Sequence, residues 1–370
     1  MKEDDEVLGL IGDAARSFVR QWGGAALVRK RVSEVVDFNR EEWNAVIEQG
    51  WLGVMVPEAK GGLGLSARAL TVVLQQIGEA LVMPPILNAM ATAVLLAGLD
   101  TSYADELLSD LLSGEALILT ALPDGASPTL LPALAHGWVH DALGADGLLV
   151  WDDENRQLLH LGADQMHHVK SRSTIDGGSI STVTLPDGNR RVVADGTAAL
   201  QALSTARDVI GIGSAAMALG CAKQAFEITL AYMKERKQFG APIGSFQALQ
   251  HRAASLHVAL ASSESFLVEA SHCFNGPNRS AASSAVRARS ADCALQVVKE
   301  AVQLHGAIGF ADEHDVGLYF RRIVALASWH GNSAAWRRHY CRSDRAEFES
   351  RKMRSSEPDI PTRGAWNLGQ

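Results

Sequence analysis

Between positions 209 and 233, apolar residues recur in steps of three and four: Val209, Ile212, Ala216, Leu219, Ala222, Phe226, Leu230 and Met233. At 3.6 residues per turn, this spacing places them all on one side of one long helix. A stripe of that length must lie against companions of similar length, and the sequence supplies them. Phe246, Leu249, Ala253, Leu256 and Leu260 repeat the pattern, as do Val286, Cys293, Val297 and Leu304. Together with the segment 323–345 they predict an antiparallel four-helix bundle.

The first 115 residues also predict helices. Ala14, Phe18 and Val19 share a face, and Phe38-Asn-Arg-Glu-Glu-Trp43 opens a helix that runs into Gly50. Gln49 to Pro57 predicts a helix stop and an extended run, and Gly61-Gly-Leu-Gly64 a loop. Helical spacing resumes from Ala69 to Ala80, breaks at Pro84-Pro85, and returns from Leu87 to Leu96 with Gly98 as its stop. Near Gly114 the texture changes. Short apolar runs (Leu117–Leu119, Gly147–Trp151, Ser181–Leu185, Arg191–Val193) alternate with turn signals such as Pro123-Asp-Gly, Asp176-Gly-Gly and Pro186-Asp-Gly-Asn, which predicts a small β domain. The expected class is therefore α+β, mainly α. It comprises an N-terminal helical domain (1–115), a middle β domain (116–196), a C-terminal four-helix bundle (197–350) and a polar tail (351–370).

With 370 residues, 47% of them apolar, the chain can bury large cores. A net charge of −8 gives no electrostatic footprint for nucleic acid or for an anionic membrane. Cys221, Cys273, Cys293 and Cys341 are widely spaced, with neither a CxxC nor a nearby His pair, which predicts buried, reduced thiols with no disulfide and no zinc. The acidic start Met1-Lys-Glu-Asp-Asp-Glu does not read as a signal peptide, and no uninterrupted apolar stretch approaches the ~18 residues of a membrane span. A cytoplasmic protein is expected.

Two segments carry candidate chemistry. Glu235-Arg-Lys-Gln-Phe-Gly240, followed by Ile243-Gly-Ser-Phe-Gln247, closes the long helix with a cationic cluster that opposes the helix dipole. Taken alone, it reads more simply as a solvated terminus capped by Gly240. A fixed guanidinium fork also suits a pyrophosphate, and an adjacent aromatic can cover a flat heterocycle. Gln303-Leu-His-Gly-Ala-Ile-Gly309, 67 positions after Arg236, can bring bare backbone N–H groups close to phosphate or adenine. His305 by itself reads as a core or capping residue.

These strings, the domain order, and Gln49-Gly-Trp-Leu-Gly-Val-Met-Val-Pro-Glu58 with Gly61-Gly-Leu-Gly-Leu-Ser66 resemble the acyl-CoA dehydrogenase family over nearly the whole chain. The resemblance implies FAD as cofactor and an acyl-CoA substrate. It implies that Arg236, Phe239, Gln247, Gln303, Leu304, His305, Gly306 and Ala307 contact a flavin held by a neighbouring subunit. Ala307 stands where the family has a second glycine.

Other positions depart from the family. Its flavin-bonding Thr-Glu-Pro-Gly-like loop and Trp-Ile-Thr/Ser strand correspond here to Leu119-Thr-Ala-Leu-Pro-Asp-Gly125 and to a shortened His136–Asp146 in which only Trp138 keeps a strand position. The Tyr-Glu-Gly-Thr base motif corresponds to Trp329-His330-Gly331-Asn332, so His330 occupies the usual glutamate position. Some members place the base on an earlier helix, near Arg207 to Met217. That stretch offers only Asp208, which reads as a charge at a helix N-terminus.

The chain thus keeps what the family gives to a neighbour and lacks what it uses at home. The pattern is similar to the degenerate subunit of heterotetrameric bacterial steroid side-chain acyl-CoA dehydrogenases. It implies an α2β2 assembly with a dehydrogenase-like partner that supplies the base, forming a 2,3-enoyl-CoA. Two alternatives stay open on sequence: a self-sufficient flavoenzyme of the same fold with His330 as base (or an oxidase or monooxygenase needing none), and a flavin-free scaffold or regulatory paralogue.

Overall fold

The computed structural model describes residues 2–34, 38–83, 85–122, 137–185 and 191–343. Pro84, the Pro123 and Pro186 turns, His136 and the 351–370 tail lie outside these residues. The N-terminal part consists of α1 (Lys2–Trp22), α2 (Ala25–Glu34), α3 (Arg40–Glu48), α4 (Ala67–Glu79), α5 (Ile86–Ala97) and α6 (Ser102–Ser113). Asn39 caps α3, its side chain accepting from the N–H groups of Glu41 and Glu42. The run after Gly50 is not extended. Gly50 takes a left-handed turn into a 3-10 turn over Trp51–Gly53, and Trp51 and Leu52 are buried beneath it. The backbone of Gly53, Val54 and Val56 is instead satisfied by Leu63, Leu65 and Gly64 from the glycine loop.

The middle part has two sheets. β1 (Ile118–Ala121), β2 (Gly137–His140), β3 (Gly147–Asp152), β4 (Gln157–Leu161), β5 (Val169–Ser173), β6 (Ser179–Val183) and β7 (Arg191–Asp195) pair in the orders β1-β3-β4-β7 and β2-β6-β5. Among the described strands, only β1 and β3 pair in parallel. The sequence did not announce β5. Its Val-Lys-Ser-Arg-Ser run is almost wholly exposed at a sheet edge, so it carries no hydrophobic alternation.

The last part contains α7 (Gly196–Glu235), a ribbon of β8 (Lys237–Gln238) and β9 (Ala241–Pro242), α8 (Gln247–His272), α9 (Arg279–His305) and α10 (Val316–Ser328). The expected fourth segment, 323–345, is interrupted. α10 ends at Ser328, the chain turns through His330 (φ +51°) and Gly331 (φ +103°), and residues 333–343 are helical again.

α7 spans 40 residues and is long and apolar enough to cross a membrane, yet 89% of its most apolar stretch is buried inside the protein. It is the central core helix. α4 crosses it so closely that a methyl group on Gly78 would stand 2.1 Å from the Met217 carbonyl oxygen, and one on Gly220 2.1 Å from that of Gln75. Only glycine allows the two backbones to touch there.

Candidate functional site

In the antiparallel bundle, the end of α7, the start of α8 and the end of α9 meet at one pole. Arg236 follows α7, Gln247 opens α8, and Gln303 to Ala307 close α9. Tyr232 joins these segments. Its carbonyl accepts the Arg236 N–H at 2.9 Å, its ring stacks on His305 at 4.5 Å, and its hydroxyl donates to the His305 carbonyl at 3.3 Å.

This pole is open to solvent. Arg236, Gln247, Gln303, Gly306 and Ala307 are exposed, and Phe239 is 95% exposed. Among the described residues, the Arg236 guanidinium has no hydrogen-bond or ion-pair partner. Phe239 and Gly240 form the β8–β9 turn with φ of +52° and +81°. A phenylalanine held left-handed with its ring in water is unfavourable on two counts, and such strain persists where a ligand or partner uses it. Phe310, 82% exposed, lies just beyond Ala307.

The backbone shows why Ala307 can replace a glycine. Gly306 takes the positive φ (+66°) and Ala307 does not, so alanine is tolerated without strain. Two of the expected contacts need correction, because the side chains of Leu304 and His305 are 6% and 3% exposed and point into the bundle. Nδ1 of His305 is 2.7 Å from the Ala301 carbonyl, and burial lowers its pKa. Only the backbone of these two residues can serve an outside ligand.

His330 lies elsewhere, between the β domain and the bundle. It is 8% exposed, and its imidazole is pushed down to about 3 by burial, then by the nearby cations Arg287 and Arg207. His140, two residues after Trp138 on β2, stacks on Trp329 at 4.6 Å and meets His330 edge-on at 5.0 Å. The cavity they share with Leu87, Met217 and Asp141 holds about 10 Å³. That is room for about one water. A tricyclic flavin ring does not fit among these residues.

A carboxylate is present after all. Asp141 lines the same cavity, is 8% exposed and is pushed up to about 6, mainly by burial. Its Oδ1 accepts from the Ser179 N–H at 3.0 Å, and Arg322 and Asp176 act on it electrostatically. Sequence reading missed both His140 and Asp141. The available signal was Trp138: two positions on, where the family has a hydroxyl, this chain has histidine.

Asp208 also needs correction. It lies well inside α7, fully buried, and accepts from Arg279 Nε and Ser280 Oγ, both at 2.7 Å. Its carboxylate ties α7 to α9.

Three domains in this order, with an arginine- and glycine-bearing pole on the bundle, define an acyl-CoA dehydrogenase architecture. The N-terminal domain of acyl-CoA dehydrogenases matches residues 7–115, and the C-terminal domain matches residues 197–343. The chain is 30% identical to the acyl-CoA dehydrogenase IpdE2 of Mycobacterium tuberculosis over 325 residues, 86% of this chain and 91% of that one. It is similar to a solved variant of the Tcur3481-Tcur3483 steroid ACAD, with a TM-score of 0.80 and 25% identity over 94% of this chain and 99% of the other. The ChsE4-ChsE5 complex from Mycobacterium tuberculosis shares the fold, with a TM-score of 0.76 and 22% identity over 95% of this chain and 98% of the other. The chain belongs to the acyl-CoA dehydrogenase family.

Proposed function

We propose that this chain is the base-lacking subunit of a heteromeric, FAD-dependent acyl-CoA dehydrogenase. Its bundle pole grips a flavin whose ring lies in a dehydrogenase-like partner, and that partner supplies the carboxylate base. One contrast carries the reading: the pole is open and its arginine has no partner among the described residues, whereas the His330 cavity has room for about one water. Two neighbours in fold support it, since their names describe a steroid ACAD pairing two gene products and a ChsE4-ChsE5 complex. On that likeness, the substrate class is a steroid side-chain acyl-CoA and the product its 2,3-enoyl form, in an α2β2 assembly.

Bound FAD supplies an acceptor for the hydride leaving the substrate's β-carbon. The residues of this chain hold and orient it. Arg236 offers the diphosphate a two-pronged charge-assisted contact, and Phe239 offers a ring face. The Gly306–Ala307 backbone can approach closely because Gly306 has no side chain, its own N–H being donated to the Gln303 carbonyl. His330 is unsuited to proton abstraction. A base works best with a pKa near the operating pH, and burial holds this one at about 3.

Two measurements test the reading on the assembled complex. Arg236→Ala should weaken FAD binding by about 2–4 kcal/mol, lysine rescuing it only in part, and wild-type complex should hold one FAD per two chains. Unchanged affinity, or one FAD on every chain, would overturn it. His330→Ala should leave substrate-dependent flavin bleaching within a few-fold of wild type. A fall of roughly 10²–10⁴ at unchanged FAD content would identify His330 as a working base.

A further inference from the structure

The two flavin-facing segments come from helices ending 70 residues apart, α7 at Glu235 and α9 at His305. A diphosphate can be shared between Arg236 and the Gly306–Ala307 backbone only if their spacing is fixed. Arg236 is exposed and Gly306 is a glycine at a helix end, so neither fixes itself. Tyr232 is in direct contact with both sides. On its own helix it lies one turn before Arg236, and its carbonyl accepts the Arg236 N–H. Across the bundle it stacks on the His305 ring with an interplanar angle of 26° and donates to the His305 carbonyl, the peptide whose nitrogen belongs to Gly306.

Other contacts hold that segment as well. His314 packs on His305 at 4.4 Å, and Arg29 of α2 donates to the carbonyls of Asp312 (3.1 Å) and Glu313 (2.8 Å) and pairs with Asp315 (2.7 Å). The loop after Phe310 is thereby anchored to the N-terminal domain. Tyr232 also meets the His314 ring edge-on at 6.3 Å, and it adds the link to Arg236.

We propose that Tyr232 is a positioning residue of the shared flavin site, holding the Gly306–Ala307 backbone in register with the Arg236 guanidinium. The inference rests on the trans-binding role proposed above. In the register it describes, the tyrosine ring sets the distance between the segments, and its hydroxyl sets the orientation of the peptide entering Gly306.

The test uses the complex stripped of flavin and titrated with FAD, with its melting temperature read alongside. Tyr232→Phe keeps the stack and loses the donated bond, and FAD affinity should fall by about 3- to 10-fold. Tyr232→Leu loses both, and affinity should fall further, by about 10- to 100-fold. The flavin-free melting temperature should stay near wild type in Tyr232→Phe. Amide exchange at Gly306 to Phe310 should quicken in Tyr232→Leu and stay near wild type in Tyr232→Phe. If Arg236→Ala weakens FAD while both Tyr232 variants bind like wild type, positioning is overturned and the trans role stands. If Arg236→Ala also binds like wild type, both fall. Should Tyr232→Leu not assemble, the Tyr232→Phe titration decides alone, and an affinity equal to wild type overturns the proposal.

Discussion

Asp176→Ala is expected to cost the protein about 3–5 kcal/mol of stability. Asp176 lies in the turn between β5 and β6 and accepts from Arg322 of α10 at 2.7 Å, with side chains only 1% and 2% exposed. The pair joins the β domain to the bundle directly beside the His330 cavity, where the Arg322 guanidinium also lies over the Trp329 ring at 4.9 Å. Removing the carboxylate leaves a guanidinium that cannot shed its proton, buried beside Asp141 as its remaining counter-charge. The turn also loses the acceptor of Thr174 Oγ1 and the Gly178 N–H. Urea denaturation of Asp176→Ala, Arg322→Met and the double variant separates these causes. If the uncompensated charge dominates, the double variant should recover more than half of the loss. No recovery would assign the cost to the turn.

Acid should weaken the fold more steeply than its surface carboxylates alone would produce. Burial holds His330 down at about 3 and His160 at about 4, and lowers His140 well below 6.5. A histidine whose folded pKa is depressed leaves the unfolded chain to bind the extra proton. Stability therefore falls as pH drops below the unfolded value of 6.5 and stops falling only at the folded values. Each such residue contributes about 1.4 kcal/mol per pH unit in that window. Asp141 acts in the opposite sense. Its pKa is raised from 3.8 to about 6, so the folded state binds its proton first and gains stability as pH falls through that range. Asp208, raised by burial, acts in the same direction. The net expectation is a loss of about 1–3 kcal/mol per pH unit between pH 6 and 4. Urea midpoints at pH 7.5, 6 and 5 measure it. His330→Asn, a residue that tolerates the left-handed backbone at this position, should reduce the slope by about 1.4 kcal/mol per unit. An unchanged slope would mean that His330 takes up its proton while folded.

Much of the architecture was legible because it rests on periodicity. The stripe from Val209 to Met233 required a long buried helix, and α7 is that helix. The change of texture near Gly114 marked the sheets, since short apolar runs between turn signals have few other uses. Elements without such a signal were missed. β5 is exposed and polar, and the 3-10 turn at Trp51 mimics an extended run because its apolar residues are continuous. Asp208 looked like a helix-end charge because the apolar stripe starts only at Val209, although α7 itself begins a dozen residues earlier, at Gly196.

The sequence by itself determined the family and marked the segments proposed to face a flavin, because each is written in contiguous strings or in a repeating period. It also determined that the usual base position holds histidine. Only the tertiary structure decided what these residues can do. Whether Arg236 stays exposed, Leu304 and His305 turn inward, and His140, Trp329 and His330 close a cavity to about 10 Å³ depends on side chains brought together from elements distant in sequence. Burial and pairing are properties of that packing, and no local spacing encodes them.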